Sequence, residues 1–551
     1  MAATTATARY REVLRVFVRY GFGFVVGGRF PFSRRHSDED VAEALSRPSR
    51  LRAAFEELGT TFIKLGQILS TRPDLLPPEY IAELQKLQDA VPAVPTALIT
   101  ARIEAELGRP VGQLFTAFDP TPLAAASIAQ VHAVTLPGGI DAVVKVQRPG
   151  VRERVMLDLE IAARIARLAE ERLNIAERTG IHLPQLVDEF GWTLRNELDY
   201  VREAKNAELF QRNFSEAAFV HIPAICWEYT TARIITMERL RGLRIDDVAG
   251  LTAAGYDPAR IAEQSAAIVL QEVFQDGFFH ADLHPGNLFV LPGGVIGAVD
   301  FGMVGTIDEK TRAQLLFLLV AIVGQDADRI TDHLYRLGVV GGSGTNRTFL
   351  RRDIQRLTAQ YYGLTLQELD VSRLLTDLLA VVRRHRLTLP ADLALLLKML
   401  LMIEGLGRTL EPEFNILAVA QPFATEALRH LVAPERVLRQ LRQTATDLTW
   451  LTIELPGRLD RLLQQLEQGK QVVQTESINA EKAARAIQAL ANRIVFAILI
   501  AAFIIGLALV ILAIRPSGND LWVQVLIVAG FGFASLLGVF FVWSLWRSGR
   551  S

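Results

Sequence analysis

Apolar side chains around residue 60 recur at helical spacing, with Phe62, Leu65, Ile68 and Leu69 on one face. Over 128–136 and 141–146 the pattern changes to short strand-like runs on either side of Pro137-Gly138-Gly139, which predicts a β-hairpin. A second hairpin is predicted over 288–291 and 295–299, around Pro292-Gly293-Gly294. Between the two lie a charged helical stretch over 151–180, a helix over 196–206, a strand leaving through a Gly-containing linker over 233–242, and a helix at about 257–276. From about 308 to 490 the chain reads as helix almost throughout, interrupted by a loop at Gly341, Gly342, Ser343 and Gly344. The last patterns are two apolar runs, 494–514 with 21 residues and 521–546 with 26, joined by a polar turn over 515–520. Each is long enough to cross about 30 Å of hydrocarbon, and Trp522, Trp543 and Trp546 fall where interface anchors belong. Arg493, Arg547 and Arg550 lie on one side of this pair, so the positive-inside rule places the rest of the chain in the cytoplasm. The expectation is a multi-pass protein of the cytoplasmic (inner) membrane, held by two C-terminal transmembrane helices.

Composition narrows the function classes. With 59 basic and 60 acidic side chains there is no global field of the kind that draws nucleic acid, so no nucleic-acid partner is expected. The single cysteine, Cys226, excludes a disulfide framework and suits a reducing compartment. A length of 551 residues predicts more than one unit. The divisions read from the patterns are a basic, aromatic segment at 1–50, a helical extension at 51–120, a β-rich lobe with a helical insertion at 121–242, a helical lobe and extension at 243–490, and the anchor at 491–551. Within the first, 9–32 mixes arginines with tyrosines and phenylalanines; it either lies in a membrane interface or packs on the protein's own surface.

The candidate chemistry centres on His280-Ala281-Asp282-Leu283-His284-Pro285-Gly286-Asn287 and on Asp300-Phe301-Gly302. Asp282 and Asn287 are five apart, and Asp300 follows thirteen later, the order in which protein kinases place a catalytic-loop Asp, a metal-binding Asn and a second metal-binding Asp. Phosphoryl transfer needs that set, because an amide oxygen and a carboxylate hold Mg²⁺ while another carboxylate orients the nucleophile. The 288–299 hairpin would bring Asn287 and Asp300 back together. Taken alone, the tripeptide could arise by chance and the His-x-Asp-x-His could be a zinc ligand pair; the combined spacing favours the kinase-like site. Upstream, Lys145 stands in an apolar strand after a hairpin, where kinases carry the lysine that grips the α- and β-phosphates. The 233–242 stretch, which includes Glu238, lies where a kinase hinge would offer its backbone to adenine. Ala124, Ala125, Ala126 and Ser127 occupy the position of the loop over the nucleotide, where kinases use glycines. Spacing alone leaves open which of Glu197, Asp199 and Glu203 pairs with Lys145.

At these residues the chain resembles the UbiB/AarF family of atypical kinases, bacterial relatives of the mitochondrial coenzyme Q kinase-like proteins. The resemblance runs over about 55–305 and rests on Lys64-Leu65-Gly66-Gln67, the alanine-rich loop, Glu197-Leu198-Asp199, the His280–Asn287 stretch and Asp300-Phe301-Gly302. It implies an α+β, bilobal protein-kinase-like fold with an N-terminal helical extension, a largely helical C-terminal region and a transmembrane hairpin. It also implies that Glu203 is the partner of Lys145, and that Lys64 and Gln67 reach into the site, meet Glu197 and Asp199, and occlude a protein-substrate groove. The implied cofactors are ATP and Mg²⁺, or Mn²⁺, with Asn287 and Asp300 as ligands and Asp282 acting on the nucleophile. The implied activity is ATP hydrolysis or phosphoryl transfer in support of isoprenoid-quinone synthesis; a protein kinase and a nucleotide-gated scaffold are the competing readings. Implied partners are membrane lipids, quinone intermediates and quinone-synthesis enzymes. Ala502 and Gly506, a small-xxx-small pair, would allow a homodimer.

Overall fold

The computed structural model describes residues 6–22, 46–70, 72, 75–87, 92–173, 182–324, 326–341, 347–360, 371–385, 387–420 and 423. All belong to Met1–Arg439, the first of two compact units into which the chain divides.

The N-terminal helices are α1 (Ala6–Arg19), α2 (Arg47–Leu58), α3 (Thr60–Ser70) and α4 (Pro78–Leu84). Ser46 caps α2 by accepting from the Ser49 N–H, and Gly59, at φ 88°, turns the chain straight into α3. Val13 and Val16 of α1 pack with Phe55, Leu58, Phe62 and Leu84 in one cluster. So the described part of the basic, aromatic segment is a helix seated on the protein's own core. Gly66 has a specific reason: a Cβ there would stand 2.2 Å from Leu87 Cδ1 and 2.8 Å from Phe55 Cδ2, so only glycine lets α3 press this close.

After α5 (Thr96–Leu107) and α6 (Val111–Leu114) come β1 (Ala117–Ala125), β2 (Ala129–Leu136) and β3 (Ile140–Gln147). They are followed by α7 (Val151–Leu173), α8 (Leu183–Glu197), α9 (Tyr200–Asn213), β4 (Val220–His221) and β5 (Ile234–Glu238). The sheet runs β1-β2-β3-β5, all antiparallel. Gly138 and Gly139, both at φ above 80°, close the β2–β3 turn. Alternation then sorts β3: Ala142, Val144 and Val146 pack under Ile99, Ile103 and Leu114, while Val143 faces the cluster built by Leu194, Leu198, Tyr200 and Ala204. Lys145 shares Val143's side of the strand and therefore looks toward α9. The helix expected over 196–206 is corrected: the chain breaks at Leu198, and Asp199 caps a new helix, α9, by accepting from the Val201 and Arg202 N–H groups. Strand β1 also begins at Ala117, in a stretch read as helical from sequence.

The remainder holds β6 (Leu243–Arg244), α10 (Val248–Ala253), α11 (Pro258–Gln271), β7 (Phe278–His280), β8 (Leu288–Leu291), β9 (Val295–Ala298) and β10 (Val304–Thr306). Then follow α12 (Glu309–Val323), α13 (Ala327–Arg336), β11 (Val340–Gly341), α14 (Arg347–Gln360), α15 (Val371–Arg384), β12 (Leu387–Thr388) and α16 (Ala391–Leu410). A second small sheet runs β4-β9-β8-β6, and β7 pairs with β10. One large apolar core joins these strands to α11 and α16, through residues such as Val269, Phe279, Met399 and Ile403.

The expected placement in the cytoplasmic membrane is corrected. Among the described residues no helix is long and apolar enough to cross a membrane. The two runs that carried the expectation, 494–514 and 521–546, lie outside the described residues, as does the Ala502–Gly506 pair.

Candidate functional site

Three charged groups meet where β3, α9 and the end of the β8–β9 hairpin converge. Lys145 Nζ donates to Glu203 Oε1 at 2.8 Å and lies 3.2 Å from Asp300 Oδ2. Glu203 is 2% exposed, so it depends on this partner. Of the three acids that spacing left open, Glu203 is the one in contact with Lys145 Nζ, and α9's new start at Asp199 is what turns it there. Burial works against the Lys145 ammonium, but Asp300 and Glu203 outweigh it and hold its pKa well above the ordinary lysine value. Burial likewise pushes Asp300 up, yet Lys145 and Lys64 hold its carboxyl well below the usual carboxylate range. Asp300 is also the one described non-glycine residue at positive φ, 64°, with Oδ1 accepting from the Gly302 N–H. Asn206 Nδ2 donates to the Phe301 carbonyl and steadies the same turn.

The β8–β9 hairpin positions the other half. Leu288 pairs with Ala298, and the Val299 N–H donates to the Asn287 carbonyl at 2.9 Å, so Asn287 and Asp300 emerge at the same end of the hairpin. Asn287 Nδ2 donates to the Asp282 carbonyl, which leaves its amide oxygen available. Asp282 Oδ1 accepts from Lys398 Nζ at 2.8 Å, a contact from α16 that spacing gave no sign of. Burial pushes Asp282 up, but Lys398, His284 and Lys64 together keep it below its ordinary value. His280 is buried and its pKa lowered by that burial; its Nδ1 accepts from the Asp282 N–H. His284 Nδ1 accepts from Gly286 N–H. Both histidines brace the loop, and among the described residues no group of three or more His, Cys, Asp and Glu could hold a metal.

Behind the loop, Glu272 Oε2 accepts from the His280 N–H, and burial raises the Glu272 carboxyl to about 8. A folded pKa above the ordinary 4.5 means that folding takes up a proton between the two values. This group's contribution is therefore full below about 4.5 and lost as pH rises through about 8. Glu272→Gln keeps the accepting oxygen and cannot ionise. The wild-type protein is expected to lose on the order of a few kcal/mol across that window, and the variant to lose much less. Chemical unfolding at several pH values reads this, and equal slopes in both proteins would clear Glu272 as the cause.

The remaining predicted residues divide. Lys64 Nζ lies 2.5 Å from Glu197 Oε1, with both side chains largely covered, and its charge is felt at Asp282 and Asp300. Gln67 and Asp199 do not join that pair as the resemblance implied. Gln67 Nε2 donates to the Leu87 carbonyl, and Asp199 spends Oδ1 on capping α9. The alanine-rich turn follows β1: Arg148 Nε donates to the Ala126 carbonyl at 2.8 Å and Thr60 Oγ1 to the Ser127 carbonyl at 3.3 Å. Ala124 and Ala125 pair with Val131 and Gln130 of β2. Glu238 ends β5, where its N–H donates to the Ala224 carbonyl and its carboxylate meets His221 Nε2 at 3.0 Å. The N–H of Arg239 is donated to Asp141, so the hinge N–H groups at both positions are already committed.

Residues 86–334 match the ABC1 atypical kinase-like domain, 354–415 the UbiB helical domain, and 478–547 the ABC1/UbiB kinase-like C-terminal domain. The first holds Lys145, Glu203, Asp282, Asn287 and Asp300; the second holds Lys398. A protein of Clostridium pasteurianum, described as an uncharacterized protein in the hydrogenase 1 5′ region, is 33% identical over 98% of this chain and 99% of its own length. The "Probable protein kinase UbiB" of Marinobacter nauticus is 38% identical over 76% of this chain and 77% of its own. The protein of the same description in Xanthomonas campestris pv. campestris is 35% identical over 96% of this chain and 98% of its own. The solved complex of Rv3197 with erythromycin from Mycobacterium tuberculosis is similar at a TM-score of 0.42 and 22% identity, over 65% of this chain and 97% of that one. With its α+β, mostly helical, kinase-like fold, the chain belongs to the ABC1/UbiB family of atypical kinase-like proteins.

Proposed function

We propose that this protein is a Mg²⁺-dependent ATPase that supports isoprenoid-quinone synthesis by coupling nucleotide hydrolysis to the handling of quinone intermediates. The observation that carries the reading is Lys145, charged and held between Glu203 and Asp300, with Asn287 emerging at the same end of the β8–β9 hairpin as Asp300. The quinone context comes from family membership.

The donor set fits Mg²⁺. The Asn287 amide oxygen and the Asp300 carboxylate are hard oxygen donors, and Mg²⁺ takes few protein ligands when phosphates and waters complete its shell. Bound there, the ion would neutralise charge on the phosphate oxygens. Lys145 would hold the α- and β-phosphates with Glu203 orienting it, under the Ala124–Ser127 turn, and adenine would lie near Glu238 without a hydrogen bond from the committed N–H groups of Glu238 and Arg239. In hydrolysis a water oxygen bonds to the γ-phosphorus while the bond from that phosphorus to the β–γ bridging oxygen breaks. ADP leaves with the electron pair, and the proton lost by the water passes to Asp282. Lys64 held at Glu197 would narrow the groove that a polypeptide substrate needs, which would favour water or a small nucleophile over a protein.

Labelled γ-phosphate decides among the readings. Release as free phosphate, with little label on protein, is the expected result; transfer to added protein would make it a protein kinase, and no transfer a scaffold. Lys64→Ala is expected to stay folded and to raise labelling of the protein itself on the order of tenfold. An unaltered product distribution would return Lys64 to a structural role.

A further inference from the structure

Helix α16 is apolar where it meets the core: Leu393, Leu396, Met399, Ile403 and Leu406 are buried. Lys398 is the one charged residue between Asp392 and Glu404. Its side chain is 19% exposed, and an ammonium so placed needs a partner. The partner is Asp282, 116 residues earlier, at 2.8 Å. Only Oδ1 of that carboxylate is used; among the described residues Oδ2 accepts no hydrogen bond. An ion pair serving stability alone would not need the very carboxylate that acts on the nucleophile.

We infer that Lys398 is a positioning residue for phosphoryl transfer. It pins Oδ1 of Asp282, fixes the rotation of the carboxylate, and leaves Oδ2 as the oxygen that receives the proton from the nucleophile. The kinase-like domain is then incomplete by itself, and the helical segment at 354–415 supplies the missing contact. This assignment rests on the ATPase reading above.

Lys398→Met removes the charge and the donor while suiting an apolar helix face, so the thermal midpoint should hold. In the full-length protein, kcat for phosphate release is expected to fall roughly 10- to 100-fold, with KM for ATP within about twofold of wild type. Lys398→Arg, which keeps charge and donors, is expected to recover kcat to within about fivefold. A kcat for Lys398→Met within about twofold of wild type overturns the assignment, as does a matching rise in KM or an arginine variant no better than methionine. Asp300→Asn runs alongside. Wild-type release no faster than that variant sinks the ATPase reading itself, whereas release well above it that Lys398→Met leaves intact sinks only the role of Lys398.

Discussion

Asp300→Asn is expected to lower Mg²⁺-dependent phosphate release by a factor on the order of 10³ or more, with the fold intact. Two terms add. A neutral amide replaces a charged ligand of a divalent ion, and the Lys145 ammonium loses one of its two carboxylate neighbours. The substitution is unusually clean because Asp300 sits at φ 64°, a conformation that asparagine adopts as readily as aspartate and that alanine does not. Asparagine keeps the shape of the half-exposed Asp300 side chain and the Oδ1 that accepts from the Gly302 N–H, so the turn should keep its geometry. Glu203 still holds Lys145, so affinity for nucleotide without metal should change little. Phosphate release and nucleotide-induced thermal shifts, each with and without Mg²⁺, separate these effects. An undiminished Mg²⁺ response would remove Asp300 from the metal site, and with it the phosphoryl-transfer reading.

The parts of this protein that are legible in its sequence are those specified locally. Both Pro-Gly-Gly turns announce their hairpins because consecutive positive-φ glycines are a backbone requirement that the residues state themselves. The order of Asp282, Asn287 and Asp300 is legible for the same reason: one short hairpin sets their relation. Lys145 is visible because a charge in an apolar strand breaks the pattern. Where contacts join distant segments, the sequence is silent. Lys398 reads as a stray cation in an apolar helix until α16 is laid against the loop that carries Asp282. Asp199 had a readable local role, an N-cap before Tyr200 and Val201, that competes with the ligand-like role the resemblance gave it. Gln67 followed the carbonyl of Leu87, brought near by the close approach that Gly66 permits. The helix α1 shows the same limit: its arginines suggest a wet or interfacial face, yet Arg9 is buried.

That burial supports the largest stability effect expected in the described residues. Arg9 donates through Nε and Nη2 to the two carboxylate oxygens of Asp158 at 2.7 and 3.0 Å, and through Nη2 to the Leu58 carbonyl at 2.7 Å. Thr61 Oγ1 donates to Asp158 Oδ2 at 2.7 Å, and Arg9 and Asp158 are each 1% exposed. One carboxylate of α7 thus fastens α1 and the first turn of α3, three residues before Lys64. Asp158→Leu takes away the buried carboxylate and leaves the Arg9 guanidinium only the exposed Glu12, at 3.0 Å, as counter-charge, and should cost about 3–5 kcal/mol. The double variant Arg9→Met with Asp158→Leu removes both charges and should recover most of that loss, because apolar replacement of a whole buried pair is close to neutral. Hydrogen exchange of the α3 amides is the direct measurement, since local opening there reports the fastening. In the single variant α3 should exchange far faster, and Lys64 should leave Glu197, so self-labelling from ATP should rise as it does in Lys64→Ala. Unchanged α3 protection in Asp158→Leu, or a double variant no more stable than the single one, would show that apolar packing alone holds α3 over the site.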